Sequence, residues 1–309
     1  MRWPLTSTRE SGTNDVLDGA KRHFGRRGSI TAVPLFRLDN AADPRLDDYR
    51  NLPDREMLER RGIFIAEGRL VVKRLLEDRR FPVRSVLVSE TAFASDDVFG
   101  RYADAAGANI PTFVVRQEIL NLAAGFNIHR GCLAIGERLP PVAWSSLLGP
   151  ATTIVVVERV ANADNIGGIF RNAAAFGAGA VLLEATCTDP LYRKAIRTSM
   201  GTALRVPFAR MEPWPEALRE LKALGWTLVG LTPSGDVRLD ESVPEPGAGS
   251  LQPKLALLVG HEGEGLTDGA LALCDHRARI PMAPGADSLN VAAAAAVALY
   301  VLAGRRLQE

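Results

Sequence analysis

The chain has 309 residues, a formal net charge of +1 and 47% hydrophobic residues. This length suits one large domain or two medium ones, and the apolar fraction is sufficient for a buried core. The balanced charge carries no information about a nucleic-acid partner. The chain contains no run of about 20 apolar residues, so no membrane span is predicted. The N-terminus lacks the apolar segment of a secretory signal.

The three cysteines of the chain are Cys132, Cys187 and Cys274. Their spacing fits no metal site, and their odd number leaves one thiol over after any pairing. Cys187 and Cys274 lie in or beside apolar stretches, so we expect them to be small core residues. This cysteine usage favours a reducing, cytoplasmic location, and no metal is predicted.

Basic residues cluster before residue 85, although the total charge is balanced. A run of charge is usually a solvated surface or a mobile tail, and clustered cations also contact phosphate groups, so both interpretations stay open. The clusters are Lys21-Arg22-His23, Arg26-Arg27, Arg55, Arg60-Arg61, Lys73-Arg74 and Arg79-Arg80.

The first part of the chain predicts a tail followed by a small domain. Residues 1–30 are polar and without periodicity, which predicts a disordered or loosely attached tail. Over 31–138, apolar runs alternate with helical patterns, which predicts an α/β domain. Its predicted elements are a helix from Arg55, strands at Ile63–Ile65, Ser85–Val88 and Thr112–Val115, and helices at Arg69–Asp78 and Phe99–Ala106. The prolines of Arg138–Pro141 indicate a linker, since consecutive prolines continue neither helix nor sheet.

The second predicted domain, 144–309, contains apolar runs that are nearly continuous. This pattern is typical of a parallel sheet that is covered on both faces. The predicted strands are Thr153–Val157, Ala180–Leu183, Thr227–Leu231 and Leu255–Val259, and the predicted helices are Ile166–Phe176, Tyr192–Met200, Pro215–Leu224, Leu266–Leu273 and a final helix from about Leu289. We expect the final helix to cover one face of the sheet and Pro244–Gln252 to be a flexible loop.

Three segments carry candidate chemistry, and the first is Glu158–Ala173, directly after a predicted strand. Ligands of open α/β sheets bind at this edge. Asn165 is expected to cap the following helix, and Gly167 and Gly168 in its first turn leave room for a ligand or another chain. Arg171 is a cation on a mostly apolar helix. It either has a functional role or simply extends to solvent or pairs with an acid.

The second segment, Val259–Leu266, again leads from a strand to a helix and contains three glycines. A phosphate loop would need Gly-Lys-Ser or Gly-Lys-Thr, and both this motif and the dinucleotide fingerprint are absent. The carboxylates of Glu262 and Glu264 would also repel phosphate. The loop therefore favours an uncharged or cationic ligand, such as a sulfonium compound with an adenosine moiety.

The third segment, Arg279–Val291, leads through a polar turn to an alanine-rich helix. Ser288 or Asn290 is expected to cap that helix. The run Ile280–Met282 offers apolar side chains and free backbone groups, which suit an adenine ring.

Together the three segments resemble the SpoU (TrmH) family of RNA 2′-O-ribose methyltransferases, within the SPOUT superfamily. The first motif is matched by Asn165, Gly167 and Arg171, the second by Gly260–Leu266, and the third by Ile280–Met282 and Ser288–Val291. Ser199–Pro207 resembles the linking segment of the family, and order and spacing agree over 153–305. Phe64–Gly68 with the helix after it resembles the start of the family's L30e-like substrate-binding domain.

The resemblance implies a C-terminal α/β SPOUT domain with a parallel sheet and a deep trefoil knot, preceded by a small L30e-like domain. It implies S-adenosylmethionine as the cofactor, and a homodimer with the final helix in the interface. The implied cofactor-binding residues are Val259, Gly260, His261, Gly263, Gly265, Ile280, Met282 and Leu289. The implied catalytic residues are Asn165, Arg171, Glu262, Ser288 and Asn290.

The implied reaction is methyl transfer to a ribose 2′-hydroxyl of RNA, with ribosomal RNA favoured over transfer RNA. A hydroxyl is a poor nucleophile until its proton is taken or stabilised. Arg171 would act as a base in a strongly perturbed site or, more easily, would stabilise the developing alkoxide. Asn165 would orient the ribose or Arg171, and Glu262 would fix its loop or Arg171. Ser288 and Asn290 would complete the substrate side.

Two positions depart from the family pattern. His261 stands where a small or polar residue is more usual, and it either changes cofactor affinity or points to solvent. Ala292 stands where Ser often follows the Asn-Val pair. Two other functions remain open: an RNA-binding assembly factor that has lost catalysis, and a nucleotide-dependent doubly wound enzyme, which the missing phosphate loop opposes.

Overall fold

The computed structural model describes residues 34–50, 53–95, 110–125, 127–128, 131–242 and 253–304. The predicted tail, the helix predicted at Phe99–Ala106 and the loop predicted at Pro244–Gln252 lie outside these residues. The described chain forms two α/β units, each built on its own sheet. Residues 138–143 connect the two units without helix or strand, as the prolines predicted.

The first unit has a mixed sheet in the order β1-β4-β3-β5-β2, in which β5 runs antiparallel to both of its neighbours. Its elements are β1 (Leu35–Leu38), α1 (Asp54–Arg60), β2 (Ile63–Glu67), α2 (Arg69–Asp78), β3 (Val83–Ser89), α3 (Glu90–Ser95), β4 (Thr112–Val115), α4 (Gln117–Ala124) and β5 (Cys132–Glu137). The predicted helix-strand-helix over 55–80 is confirmed, whereas β1, β5, α3 and α4 were not predicted.

Strand β5 escaped prediction because small residues and a glycine weaken its strand pattern. Gly136 pairs with Phe64 of β2, and the aromatic ring covers the glycine. A Cβ atom at position 136 would lie 2.2 Å from the Phe64 ring. The glycine is therefore required by packing across the sheet, which only the strand pairing reveals.

The second unit has a parallel sheet in the order β10-β12-β9-β11-β6-β7-β8. Its strands are β6 (Thr153–Val157), β7 (Ala180–Leu183), β8 (Phe208–Arg210), β9 (Trp226–Leu231), β10 (Val237–Arg238), β11 (Lys254–Val259) and β12 (His276–Arg279). Its helices are α5 (Ala163–Ala175), α6 (Arg193–Thr198), α7 (Ala217–Ala223), α8 (Asp268–Leu271) and α9 (Val291–Gly304). The four predicted strands and the parallel sheet are confirmed, and β8, β10 and β12 are additional.

Strand β11 shows why the apolar runs are continuous. Leu257 belongs to the core cluster that contains α5 and α9, whereas its neighbour Leu258 belongs to the cluster that contains α7. Both side chains are fully buried. Each buried leucine stabilises the fold by about 1.5–3 kcal/mol relative to an exposed one. The final helix thus covers one face of the sheet, as predicted.

The start of α5 corrects one prediction. Asn162, and not Asn165, is the N-cap, because its side chain accepts a hydrogen bond from the backbone N–H of Asp164 at 2.9 Å. The helix begins one turn earlier than predicted, so Asn165 lies within the first turn and is buried. The glycines Gly167 and Gly168 consequently lie in the second turn.

Other helix ends also differ from the sequence pattern. Helix α6 ends at Thr198, and the left-handed backbone of Met200 and Gly201 prevents it from continuing to position 200. Helix α9 begins at Val291, and the side chain of Asn290 accepts hydrogen bonds from the N–H groups of Ala292 and Ala293 at 3.0 and 3.3 Å. Of the two predicted candidates, Ser288 and Asn290, Asn290 is therefore the cap of α9.

The two units are packed against each other through apolar side chains. Leu191, Ile196 and Leu204 of the second unit lie in one buried cluster with Val71 and Leu75 of the first. A shared core of this kind makes the two units one body over the described residues. The connection between them is therefore not a free hinge.

Two of the predicted basic clusters take part in this contact. Arg74 donates a hydrogen bond to the carbonyl oxygen of Met200, and Arg80 donates one to that of Val206 at 2.6 Å. Both side chains are half-buried. They join the two units. This role differs from both interpretations of the basic clusters, a solvated surface and a phosphate contact.

The cysteines and the helices complete the fold. Cys132, Cys187 and Cys274 form no disulfide in the described structure; Cys187 is buried, as predicted, and Cys274 is half-buried. Among the helices that the structure describes, none has both the length and the apolar character needed to cross a membrane.

Candidate functional site

A pocket of 510 Å³ opens beyond the carboxyl ends of β9, β11 and β12. Its volume lies within the range of about 300–1,000 Å³ that small-molecule pockets span. The lining residues are Leu231–Ser234, Val259–Leu266, Asp268, Leu271, Ile280, Met282, Asp287–Leu289, Val291 and Ala294. Every residue predicted to bind the cofactor is among them. The structure therefore brings the second and third sequence segments to one cavity.

The pocket combines apolar walls with negative charge. Leu231, Ile280 and Met282 supply apolar surface, whereas Glu262 and Asp287 are two of its carboxylates. Among the described residues, no lysine or arginine lines it, and no cluster of His, Cys, Asp and Glu there could hold a metal ion. Such a cavity suits a ligand with an apolar ring and a positive charge, and it disfavours phosphate.

The glycine loop has a closed backbone geometry. His261 and Gly265 exchange two backbone hydrogen bonds of 3.1 and 2.9 Å. Gly265 has a φ of +71°, and a Cβ atom at Gly260 would lie 2.4 Å from the backbone of Gly265. Glycine is therefore required at both positions, because a side chain would strain one and collide at the other.

The side chain of His261 closes the same loop from inside. Its Nδ1 atom accepts hydrogen bonds from the backbone N–H groups of Gly263 at 3.0 Å and Glu264 at 3.2 Å. Glu264 is further held by an ion pair with Arg159, which follows β6. The half-exposed imidazole is thus part of the loop structure, and its effect on cofactor affinity stays a prediction.

Three of the predicted catalytic residues form one chain of hydrogen bonds. The side-chain amide of Asn165 donates to the carboxylate of Glu262, and the amide of Asn290 donates to the Asn165 oxygen at 2.9 Å. The chain links α5, the glycine loop and the start of α9 at the pocket. Ser288 lines the pocket and is exposed. Glu262 thus contacts Asn165, where contact with its own loop or with Arg171 was expected.

Arg171 lies apart from this chain of hydrogen bonds. It is exposed on α5, nearly two turns after Asn165. It makes no hydrogen bond or ion pair with any residue that the structure describes. Pairing of Arg171 with an acid, one of the alternatives to a functional role, is therefore not seen among the described residues. Its guanidinium remains available to a ligand.

Glu158 was not predicted as a site residue, yet it anchors the residue after the glycine loop, which lines the pocket. It is fully buried at the end of β6 and accepts hydrogen bonds from the Trp214 indole at 2.6 Å, the Thr267 backbone at 2.8 Å and the Thr267 hydroxyl at 2.7 Å. It thereby fixes the residue at which the glycine loop enters α8. A carboxylate directly after a buried strand was the available signal, but its partners lie far away in sequence.

The two glycines of α5 admit helices of the same chain. A Cβ atom at Gly167 would lie 2.6 Å from the carbonyl oxygen of Ala195 in α6. A Cβ atom at Gly168 would lie 2.7 Å from the Cβ of Ala292 in α9. Close packing of α5 against α6 and α9, rather than contact with a ligand, accounts for both glycines. Ala292, one of the two departures, lies in this helix contact.

These features define an α/β protein with a small-molecule site at the carboxyl edge of a parallel sheet. The model of the SpoU rRNA Methylase family matches residues 152–300. An uncharacterized tRNA/rRNA methyltransferase of Mycobacterium tuberculosis is 42% identical over 263 residues, which are 84% of this chain and 88% of that protein. The chain belongs to the SpoU family of RNA methyltransferases, as its motifs predicted.

Solved structures agree with this assignment. An rRNA methyltransferase from Sinorhizobium meliloti with bound S-adenosylmethionine has a TM-score of 0.73 and 25% sequence identity, and the match covers 88% of this chain and 98% of that one. An RNA 2′-O ribose methyltransferase has a TM-score of 0.68 and 26% identity, and the match covers 88% and 100% of the two chains. S-adenosylmethionine is the cofactor of the family, as predicted.

Proposed function

We propose that the protein transfers a methyl group from S-adenosylmethionine to a ribose 2′-hydroxyl of RNA. The observation that carries the proposal is the chain Asn290-Asn165-Glu262, which borders a pocket suited to an apolar ring and a cation. A relative of the same fold, 26% identical, is an RNA 2′-O ribose methyltransferase, which supports the ribose as acceptor.

In this proposal the residues of the pocket bind the cofactor. Ile280, Met282 and Leu289 provide apolar surface for the adenine, and the glycine loop from Gly260 to Gly265 surrounds the rest. The carboxylates of the pocket favour the positive charge of the sulfonium. The cofactor supplies an activated methyl group, so the protein has mainly to position the acceptor hydroxyl in line with it.

Arg171 is proposed to stabilise the negative charge that develops on the ribose oxygen. An exposed guanidinium keeps its proton at neutral pH, so electrostatic stabilisation is easier than proton abstraction. Asn165, on the same helix, would position the ribose, and Ser288 and Asn290 would complete the substrate side.

We further propose a homodimer through α9, which exposes apolar side chains. Val297 is 39% exposed and Tyr300 is 63% exposed, and the Tyr300 ring packs against Phe176, the residue that follows α5. Exposed apolar surface of this kind is typical of an interface. Arg171 also lies on α5, so the acceptor RNA would approach close to this surface.

The remaining expectations are part of the same proposal. The first unit would be an L30e-like domain that binds RNA, the second would contain the trefoil knot, and the protein would act in the cytoplasm. Ribosomal RNA is favoured as substrate, which is supported by the similar fold of the rRNA methyltransferase from Sinorhizobium meliloti. A unit that shares a buried core with the second unit is suited to hold one RNA shape, and RNA is recognised largely by shape.

The test is transfer of a labelled methyl group from S-adenosylmethionine to unmodified ribosomal and transfer RNA, followed by alkaline hydrolysis. Label in alkali-resistant dinucleotides is expected, because a 2′-O-methyl group blocks cleavage of the adjacent phosphodiester. Label in mononucleotides would contradict the ribose as acceptor. Cofactor binding without incorporation into either RNA would favour the RNA-binding factor that lacks catalysis.

A further inference from the structure

We propose that His261 is the positioning residue of the glycine loop and that it acts only as a neutral imidazole. The inference rests on the proposed function in one respect, that the loop binds S-adenosylmethionine. Its basis is that Nδ1 of His261 accepts hydrogen bonds from the backbone N–H groups of Gly263 and Glu264, at 3.0 and 3.2 Å.

The hydrogen bonds define the state of the ring. An imidazole nitrogen that accepts a hydrogen bond carries no proton, so the proton of the neutral ring resides on Nε2. Protonation of Nδ1 converts the acceptor into a donor that faces two other donors. The loop geometry of His261 is therefore incompatible with imidazolium.

The glycines make this contact important. Gly263 and Gly265 have more backbone freedom than other residues, and ordering them costs more entropy. The His261–Gly265 backbone bridge fixes the two ends of the loop, but it does not hold the residues between them. The imidazole binds two of the three inner N–H groups, and so it fixes the part of the loop that the bridge leaves free.

The same contact positions Glu262, which lies between His261 and Gly263. Its carboxylate accepts the hydrogen bond of Asn165, and Asn165 in turn accepts that of Asn290. A loop that is released from the imidazole would carry Glu262 away from Asn165. His261 thus acts on both the cofactor pocket and the proposed catalytic chain without touching the reacting atoms.

Five charged side chains among the described residues lie in the glycine loop, pair with it or line the same pocket. Glu262 and Glu264 lie in the loop, Arg159 after β6 pairs with Glu264, and Asp268 and Asp287 line the same pocket. Between about pH 7.5 and about pH 5.5, histidine is the type of side chain whose charge responds most to pH. Arginine keeps its charge throughout this range.

The experiment measures the Kd of S-adenosylmethionine by calorimetry on the full chain at about pH 7.5 and about pH 5.5. At the higher pH, His261→Ala is expected to bind roughly tenfold more weakly, because the two hydrogen bonds that order the loop are lost. His261→Asn is expected to bind like the wild type at both pH values, since an Asn side chain accepts from the N–H two residues on. Acidification is expected to weaken cofactor binding by the wild type but not by His261→Ala.

The control is His276→Asn, on β12, which should retain the acid sensitivity of the wild type. A second measurement is the hydrogen-exchange protection factor of the Gly263 and Glu264 amides without cofactor, that is, the intrinsic rate at each pH divided by the observed rate. It should fall in His261→Ala and in the wild type at the lower pH. Cofactor binding that is equal in wild type and His261→Ala, with unchanged exchange, would overturn the role of His261 and leave the proposed function standing. Lack of cofactor binding by the wild type, together with the expected exchange changes, would overturn the proposed function and leave the role of His261 in the loop standing.

Discussion

The side-chain amide of Asn290 donates a hydrogen bond of 2.9 Å to the side-chain oxygen of Asn165, which lies 125 positions earlier in the chain. Both polar ends of the Asn165 amide are used, because its nitrogen donates to Glu262. Asn290 also caps α9 with its own oxygen. The start of α9 and the glycine loop are therefore connected through one side chain of α5.

Asn165→Ala is expected to break this connection. Removal of the amide leaves Asn290 and Glu262 without their partner, which should lower methyl transfer more than tenfold and stability by about 1–3 kcal/mol. Asn172→Ala is the matched control, since the Asn172 side chain on the same helix donates to the Ala292 carbonyl at 2.7 Å and not to a side chain of the Asn290-Asn165-Glu262 chain. Both variants should show comparable losses in thermal stability. Equal kcat/KM in the two would contradict the role of Asn165.

Arg171→Ala is expected to abolish transfer while cofactor binding is unchanged. Loss of one group that stabilises developing charge commonly lowers kcat by about 100- to 1,000-fold. Because Arg171 is exposed and pairs with no described residue, the free energy of unfolding should change by less than about 0.5 kcal/mol. Arg219→Ala, an exposed arginine on α7, serves as control. Near-normal turnover of Arg171→Ala would reject its assigned role.

Glu158→Ala is expected to be among the most destabilising substitutions near the pocket. It leaves the Trp214 indole and both donors of Thr267 without their acceptor, at a cost of about 1–3 kcal/mol for each buried group that stays unpaired. Chemical denaturation should show this loss, and the Kd of S-adenosylmethionine should rise because the loop loses its anchor. Glu216→Ala, at an exposed position, should change neither quantity. A stability loss below about 1 kcal/mol for Glu158→Ala would contradict the buried contacts.

Gly168→Ala tests the contact between α5 and α9. In an exposed helix this change gains up to about 1 kcal/mol, but here the new methyl group would lie 2.7 Å from the Cβ of Ala292. We expect a net loss of about 1–2 kcal/mol from overpacking. The double variant with Ala292→Gly should recover stability, since it removes the opposing atom. Gly269→Ala, whose Cβ would meet Pro215 only at 3.5 Å, is the control.

Alkaline pH should destabilise the protein through two thiols. Burial raises the pKa of Cys187 to about 11 and that of Cys274 to about 12, whereas the unfolded chain ionises near the ordinary value of 9.0. Because the unfolded state releases these protons first, their contribution to stability is complete below pH 9 and declines as the pH rises towards 11 and 12. Between about pH 8 and about pH 10.5, urea unfolding of Cys187→Ala/Cys274→Ala should therefore lose about 1–3 kcal/mol less than the wild type. Equal losses would show that the thiols ionise normally in the folded protein.

Much of the second unit was predictable because its signals are local. Continuous apolar runs such as Leu255–Val259 predict strands that are buried on both faces, and the glycine loop after them predicts a tight turn. The polar residues that line the pocket follow strand ends, and parallel strands bring such ends to one edge. These patterns depend only on neighbours within a few positions, so one chain suffices to recognise them.

The misplaced cap shows where local reasoning fails. Asn162 and Asn165 both offer an acceptor to an N-terminal turn, and the sequence alone does not distinguish them. In the fold, the side chain of Asn165 is used by Asn290 and Glu262, which leaves Asn162 to cap the helix. Strand β5 was missed for a similar reason, since Gly136 is explained only by the Phe64 ring across the sheet.

The sequence by itself determined the family, the parallel sheet and the residue types that surround the pocket. Only the tertiary structure decided which distant side chains meet: Glu158 with Thr267, and Asn165 with Glu262 and Asn290. The physical reason is that propensity and periodicity act between near neighbours. Hydrogen bonds across about a hundred residues depend on the whole path of the chain, which packing of the complete core selects.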